Sequence, residues 1–600
     1  MATITKARDL RPGINLDPSA GHNAELANIF HQMASCYRYL GARHRFRVIA
    51  YDNAVQTING LKDDISTYAA GVKTLDKLHG VGVSIASKII EFLQTGQIAA
   101  FEKLKQRVPP GLLPLMDING FGPATVKTLH KKLGVSNQEE MLAAIESGRI
   151  GRLKGFGPKK INNMRKGLQL FAGRQTRMLL WDAMQIGDSM LNAVLAIPGV
   201  KKADLAGSLR RRKETIGDID IVATADKKDW TTITGRFTNL PVVQRVLAAG
   251  KTKASILLQK SNAQIDLRLV SEQEYGSALL YFTGSREHNI ALRTWAKTRG
   301  WKLNEYGVFE TDTNKRLAGA TEEEIYRLFG MHFIPPELRE EKGGIDLARK
   351  GPLPKLIEIK DIRGDMHVHS TWSDGTADIG DIAGHLRKTF PAYEYVVITD
   401  HSPSQRVARG LTPQEFTRQF AEIDRLNAKL GLPFVRKGVE VDILADGSLD
   451  LSDHLLKQFD WVVASIHSLF NQDNTERLIT ACEHPLVCCI GHPGGRLIGK
   501  REPYPVDWRR LIQKAATTGT ALEINAQPER LDIPDTIAKE AAEKGVRLAI
   551  GTDAHALNQF DFMSMGVSMA RRGWCTKENI LNTAPWKEIE RFRSAKRHGE

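Results

Sequence analysis

The run Gly217–Val222, GDIDIV, sets two aspartates two residues apart. In an extended strand such residues share a face, so Asp218 and Asp220 stand together with Ile219 and Ile221 behind them. Adjacent carboxylates repel unless a cation lies between them, and hard Mg2+ or Mn2+ with phosphate oxygens suits such a pair. A third carboxylate, Asp266, sits in QIDLRLV, where Ile265, Leu267 and Leu269 alternate toward a core. Three strand carboxylates make a two-metal site for in-line phosphoryl transfer. Upstream, Gly207–Ser208 forms a small turn able to approach phosphates, followed by Arg210, Arg211 and Arg212.

A second constellation lies in the last 240 residues. His367, His369, Asp374, His401, Glu440, His467, His492, Asp553 and His555 fall at or just after the ends of short apolar runs. Nine such groups are too many for one proton transfer. A mixed nitrogen and oxygen set of this size suits two or three Zn2+, Mn2+ or Fe ions, which generate hydroxide and clamp a phosphate ester. His385, His454 and His484 lie off the pattern and read as ordinary surface or core histidines. Cys488 and Cys489 sit in the apolar run PLVCCIGH and read as packed thiols.

The elements that must position these groups differ. Around the second set, seven strand-like runs from RGDMHVHS to VRLAIGTDAH alternate with helical segments such as TPQEFTRQFAEIDRLNAKLG. That is the signature of a parallel barrel or wound sheet, with its chemistry at the strand C-termini. The N-terminal third repeats another theme three times: LHGVGVSIASKI, INGFGPATVKTL and LKGFGPKKINNM. Each is Gly-x-Gly between helical runs, with Gly80 and Gly82, Gly120 and Gly122, Gly155 and Gly157. Such glycines bring the backbone close to a partner, and the amides opening the second helix suit a phosphate.

These motifs resemble known families. The three hairpins are similar to the helix-hairpin-helix, which binds DNA backbones without reading sequence. GSLRRRKETIGDIDIV, QIDLRL, YFTGSREHNIALR and LNEYGVF resemble a family X DNA polymerase over Asn23 to Phe333. The resemblance assigns Asp218, Asp220 and Asp266 as catalytic metal ligands. It lines the incoming deoxynucleoside triphosphate with Gly207, Ser208, Arg211, Gly217, Tyr281, Phe282, Gly284 and Asn289, and puts Arg293 and Tyr306 near the template base. It matches Tyr51 and Lys88 to a 5′-phosphate contact and the amine of a deoxyribose-phosphate lyase. Arg212 replaces a common glycine, Arg286 a common acid, and Ser84 a lysine on the lyase helix. The first two bear on nucleotide affinity and fidelity, the last on lyase strength. The C-terminal part resembles the polymerase-and-histidinol-phosphatase (PHP) domain, a distorted seven-stranded barrel with a trinuclear centre, all nine ligand positions being filled. Asn525 and Arg530 resemble its phosphate-side residues.

The expected architecture is multidomain: a loose arm over 1–20, a helical lyase-like domain with the first hairpin over 21–105, and a DNA-binding region with the other two over 106–175. An α+β nucleotidyltransferase palm over 176–275, a nucleotide-selection subdomain over 276–338, a polar linker over 339–360 and a (β/α)7 barrel over 361–600 follow. Charge agrees. Residues 1–360 carry 54 Lys and Arg against 36 Asp and Glu, while residues 361–600 carry 30 against 33. The first part can therefore follow a polyanion. No apolar run approaches a membrane span, the first residues lack a secretory h-region, and five cysteines make no disulfide framework. The expectation is a monomeric cytoplasmic repair polymerase that fills gapped or nicked DNA, joined to a 3′–5′ exonuclease with abasic-site cleavage. The alternatives are an end-processing nuclease whose polymerase region is a DNA clamp, and a non-enzymatic end-binding scaffold.

Overall fold

The computed structural model describes residues 22–61, 64–69, 71–78, 80–117, 121–158, 160–162, 164–165, 168, 177–340 and 343–598. Gly120 and the 1–20 arm lie outside them. The N-terminal part is helical around its own core, which includes Phe30, Ile58, Ile85 and Leu129. Helices His22–Leu40 and Arg45–Gly60 pack side by side. Helix Val83–Thr95 buries Ile85, Ala86, Ile89, Phe92 and Leu93, a stripe spaced three and four apart.

The palm follows. A short ribbon pairs β1 (Met178–Leu179) with β3 (Thr215–Ile216). The main sheet has the order β2 (Val200–Leu205), β4 (Ile219–Ala225), β7 (Gln264–Val270), β6 (Lys253–Leu258), β5 (Val243–Ala249). Strands β4 and β7 run parallel, and the other pairings are antiparallel. As the alternation predicts, Ile219, Ile221, Ile265 and Leu267 are buried. The next subdomain packs helices Tyr275–Thr283 and Arg286–Lys297 against a meander of β8 (Trp301–Asn304), β9 (Gly307–Glu310) and β10 (Arg316–Ala318).

The segment expected to be a polar linker is partly built into the fold. Arg339 is buried, Gly344–Lys350 is helical, and Ile357 N–H donates to the Cys575 carbonyl at 3.1 Å. Its isolated apolar residues, Leu356 and Ile357, have enough neighbours from the barrel to be covered.

The C-terminal part is a seven-stranded parallel sheet in sequential order: β11 (Gly364–Val368), β12 (Tyr395–Ile398), β13 (Val435–Asp442), β14 (Trp461–Ser465), β15 (Cys489–Ile490), β16 (Ala521–Asn525) and β17 (Leu548–Gly551). Helices connect the strands, as parallel pairing requires. Backbone bonds from Asp553 N–H to the His367 carbonyl (2.8 Å) and from His369 N–H to the Ala554 carbonyl (2.9 Å) nearly close the barrel at its C-terminal rim. Cys482, Cys488, Cys489 and Cys575 are buried free thiols.

Candidate active sites

In the palm, parallel register makes Asp220 on β4 the direct partner of Asp266 on β7, so the two carboxylates share a face. Asp218 stands exposed one residue before β4. Burial, then the charges of Asp218 and Asp266, raise Asp220 to about 7. A cation between the carboxylates reverses that cause. Lys253 Nζ lies 3.2 Å from Asp266 Oδ2, and Gln264 Nε2 donates to Oδ1 at 3.0 Å. Gly207, with φ of +62°, has its backbone against the Asp220 carboxylate, where a Cβ would collide. It opens a single helical turn, Gly207–Arg210, that carries Ser208. Gly217 lies against the Arg177 guanidinium.

Arg211 reaches the Thr283 carbonyl and pairs with Glu340 at 2.9 Å, which sets it beside Gly284. Tyr281 and Phe282 pack edge to face. Asn289 donates to the Tyr281 carbonyl at 2.7 Å, Arg293 donates to the Asn289 carbonyl at 3.1 Å, and all but Phe282 of these four line one recess with Asn304. Tyr306 is exposed on the turn beyond. Arg212 has φ of +56°, which explains why glycine suits this position. Its guanidinium is set among Glu337, Asp188 and Arg571. Arg286 is exposed at the start of its helix.

Among the hairpins, Gly80 (φ +74°) approaches Asn53, Gly82 precedes helix Val83–Thr95, and Gly122 precedes Pro123–Leu133 with proline at its first position. Gly155 also has positive φ, and Gly157 precedes the helical turn at Pro158. Lys88 is half-buried and donates to the Ser84 carbonyl and hydroxyl, both at 3.0 Å. Burial lowers its pKa. Tyr51, matched by resemblance to a 5′-phosphate contact, lies mostly inside the helical core. It is 5% exposed and stacks on Tyr37, because the apolar face of its helix turns inward there.

All nine barrel residues meet at the C-terminal rim. Glu440, 1% exposed, is central: Oε2 lies 3.0 Å from His401 Nδ1, 3.5 Å from His367 Nε2 and 3.6 Å from His369 Nε2. Its Oε1 lies 2.9 Å from His492 Nε2 and 3.3 Å from His467 Nε2. Asp553 Oδ1 faces His369 Nε2 at 3.2 Å, and Asp374 Oδ1 faces His555 Nε2 at 3.3 Å. Three overlapping ligand groups result: His369, Asp374, His401 and His555; His367, His369 and Asp553; His401, Glu440 and His467. Burial lowers His401 to about 3, while the Glu440 and Asp442 carboxylates outweigh burial and push His467 up to about 9. Burial also opposes the charge on Asp374, yet His555 and His401 hold it well below the carboxylate range.

The donor set fits metal. His367 Nε2, both ring nitrogens of His369, and His401 Nδ1 are buried without a hydrogen-bond partner. Buried polar atoms normally find one, and four such nitrogens facing carboxylates suit a cation.

Two supporting carboxylates escaped the sequence reading. Glu523 lies 2.7 Å from His367 Nδ1 and accepts the His492 N–H at 2.7 Å; Asp442 lies 2.6 Å from His467 Nδ1. Such partners orient ligating imidazoles. The signal was present: Asp442 follows Glu440 by two on β13, and Glu523 precedes Asn525 by two on β16, each pair sharing a strand face. Asn525 Nδ2 donates to Asp553 Oδ2 at 3.1 Å, and Arg530 Nε lies 3.5 Å from it. His385 stacks on Phe560 and His484 pairs with Asp453, away from the cluster.

Comparison with known proteins agrees with both halves. A helix-hairpin-helix model matches residues 21–98, a SAM-like helix-hairpin-helix tandem 112–169, and the DNA polymerase beta thumb 278–340. Probable phosphatases of Thermoanaerobacter sp. (strain X514) and Syntrophotalea carbinolica are 30% and 29% identical to the C-terminal region. They cover 39% and 36% of this chain and 95% and 90% of their own. The DNA polymerase/3′-5′ exonuclease PolX of Bacillus subtilis (strain 168) is 37% identical over 575 residues, 95% of this chain and 99% of the relative. With a palm, a thumb, hairpins and a histidine-rich barrel in one polypeptide matched end to end, the chain belongs to the PolX family of DNA polymerase/3′-5′ exonucleases.

Proposed function

We propose that this chain fills short gaps in DNA by template-directed nucleotidyl transfer and trims 3′ ends at a separate metal centre. The observation that carries this reading is the presence, on one family X chain, of two complete anionic sites: the Asp220–Asp266 pair with Asp218, and the nine-residue cluster. In the palm, Asp218, Asp220 and Asp266 would hold Mg2+ or Mn2+. Such ions lower the pKa of a primer 3′-hydroxyl and neutralise triphosphate charge. Ser208 and Arg211 orient that triphosphate, Tyr281 and Asn289 seat its base and sugar, and Arg293 and Tyr306 support the template.

In the barrel, the nine residues would hold two or three Mn2+, Zn2+ or Fe ions, supplying hydroxide for phosphodiester hydrolysis. Glu523 and Asp442 keep His367 and His467 aimed at the cluster, and Arg530 meets the substrate phosphate. The hairpin amides at Gly82, Gly122 and Gly157 hold the DNA backbone. Both sites lie on one chain, so a monomer suffices. Lys88 would serve as the lyase amine; borohydride trapping on a 5′-deoxyribose-phosphate end should give an adduct that Lys88→Ala abolishes.

The test is a labelled primer on a gapped template with Mn2+. The primer should lengthen with deoxynucleotides present and shorten without them. Shortening with no lengthening under any condition would favour the nuclease-and-clamp alternative.

A further inference from the structure

The barrel cluster opens into a cavity of about 860 Å3 whose two lips come from distant parts of the chain. One is the loop after β12, with Arg406, Val407 and Arg409; the other is the N-terminal helix Arg45–Gly60, which offers Arg45, Ile49 and Asn53. Arg409 takes a positive φ and donates to the Ser373 carbonyl, fixing this loop against the loop after β11 that carries His369 and Asp374. Val407 at its tip is 98% exposed. A side chain this exposed buries almost no apolar area and so adds little to folding.

The charges on the lips also point to a ligand. Asp52 on the N-terminal helix is paired with Arg38 at 2.5 Å. Arg45 lies over the Phe46 ring, and neither Arg45 nor Arg406 has a carboxylate within ion-pair distance among the described residues. Two arginines, one from each lip, lining a cavity that also holds the histidine and carboxylate cluster suit a phosphate backbone. The volume is that of a ligand site, enough for a few nucleotide units and not for a turn of duplex.

We propose that this cavity is a strand-entry gate. Arg45 and Arg406 hold the phosphates of a single strand from opposite sides, and Val407 is a wedge that parts a paired terminus, so that only an unpaired 3′ end reaches the cluster. Apolar wedges beside cationic grooves separate stacked bases in this way. The proposal rests on the nuclease reading of the barrel and names the N-terminal domain as part of its substrate site.

The test uses the full chain, with three substrates: a labelled single strand, a blunt duplex, and bis(p-nitrophenyl) phosphate as a small diester that needs no gate. Arg45→Glu should slow single-strand digestion about tenfold relative to small-diester hydrolysis, and Arg45→Lys should restore it. Val407→Asp should slow blunt-end digestion several-fold more than single-strand digestion. Unchanged ratios in Arg45→Glu, or equal losses on both DNA substrates in Val407→Asp, would overturn the gate. A wild-type chain that cleaves the small diester but neither DNA would instead remove the nuclease reading beneath it.

Discussion

At the scale of single residues, the barrel site depends on carboxylates that touch no metal position directly. Glu523 is 2% exposed and holds both the His367 ring and the His492 backbone. Replacing such a partner weakens metal affinity ~10–100-fold. Glu523→Gln keeps the size and loses the charge, so it should lower bound metal by that order, read by chelator competition and elemental analysis, with the fold intact by circular dichroism. The nine cluster residues were legible in the sequence because they fall at or near the ends of strand-like runs, and strand ends on one rim converge. Glu523 and Asp442 were not singled out because each shares its strand face with a residue two positions away, Asn525 and Glu440, and period-two spacing marks a shared face but not a partner. The burial of Tyr51 was not legible, because a motif match fixes identity while the apolar face of its helix decides burial.

At the scale of elements, the palm and the thumb are joined by a buried ion network. Glu322, at the start of helix Glu322–Leu328, accepts Arg210 at 2.6 and 2.9 Å and Arg339 at 2.6 Å. Burial opposes its charge, but Arg339 and Arg210 hold it at about 2, below the ~4.3 of a free glutamate. Because the folded value is depressed, its contribution is complete above pH ~4.3 and is lost as pH falls through about 2. Removing one partner of a buried network leaves uncompensated charge and costs roughly 3–5 kcal/mol. Glu322→Ala should therefore lower the unfolding free energy of the palm–thumb transition, measured by urea titration at pH 7, by that order, with a smaller difference from wild type near pH 2. The palm strands and the barrel order could be read from alternation and chain order. The structured part of 339–360 could not, because its few apolar residues gain meaning only from the barrel surface that covers them.

At the scale of the whole molecule, the barrel is bolted to the polymerase half. Arg496 pairs with Glu214 at 2.7 Å, Arg571 with Glu337 at 2.7 Å, and Arg572 donates to the Arg211 carbonyl at 2.7 Å while facing Glu340 at 3.2 Å. Glu340 also binds Arg211, the residue proposed to meet the triphosphate. Losing Arg572 leaves Glu340 to hold Arg211 more tightly and removes support for its loop. Arg572→Ala should raise the KM for deoxynucleotides about fivefold or more, read in steady-state extension with cleavage of a small diester as the control for barrel integrity. The barrel-to-polymerase ion pairs connect residues more than two hundred positions apart, which local sequence patterns cannot reveal. No helix among the described residues is long and apolar enough to cross a membrane. The central claim is that one chain carries two chemically separate sites. Its most direct test is one gapped primer–template assay with Mn2+ on the wild type, Asp218→Ala and His369→Ala. Asp218→Ala should abolish extension and keep trimming, and His369→Ala should abolish trimming and keep extension. Loss of both activities in either variant would contradict the account.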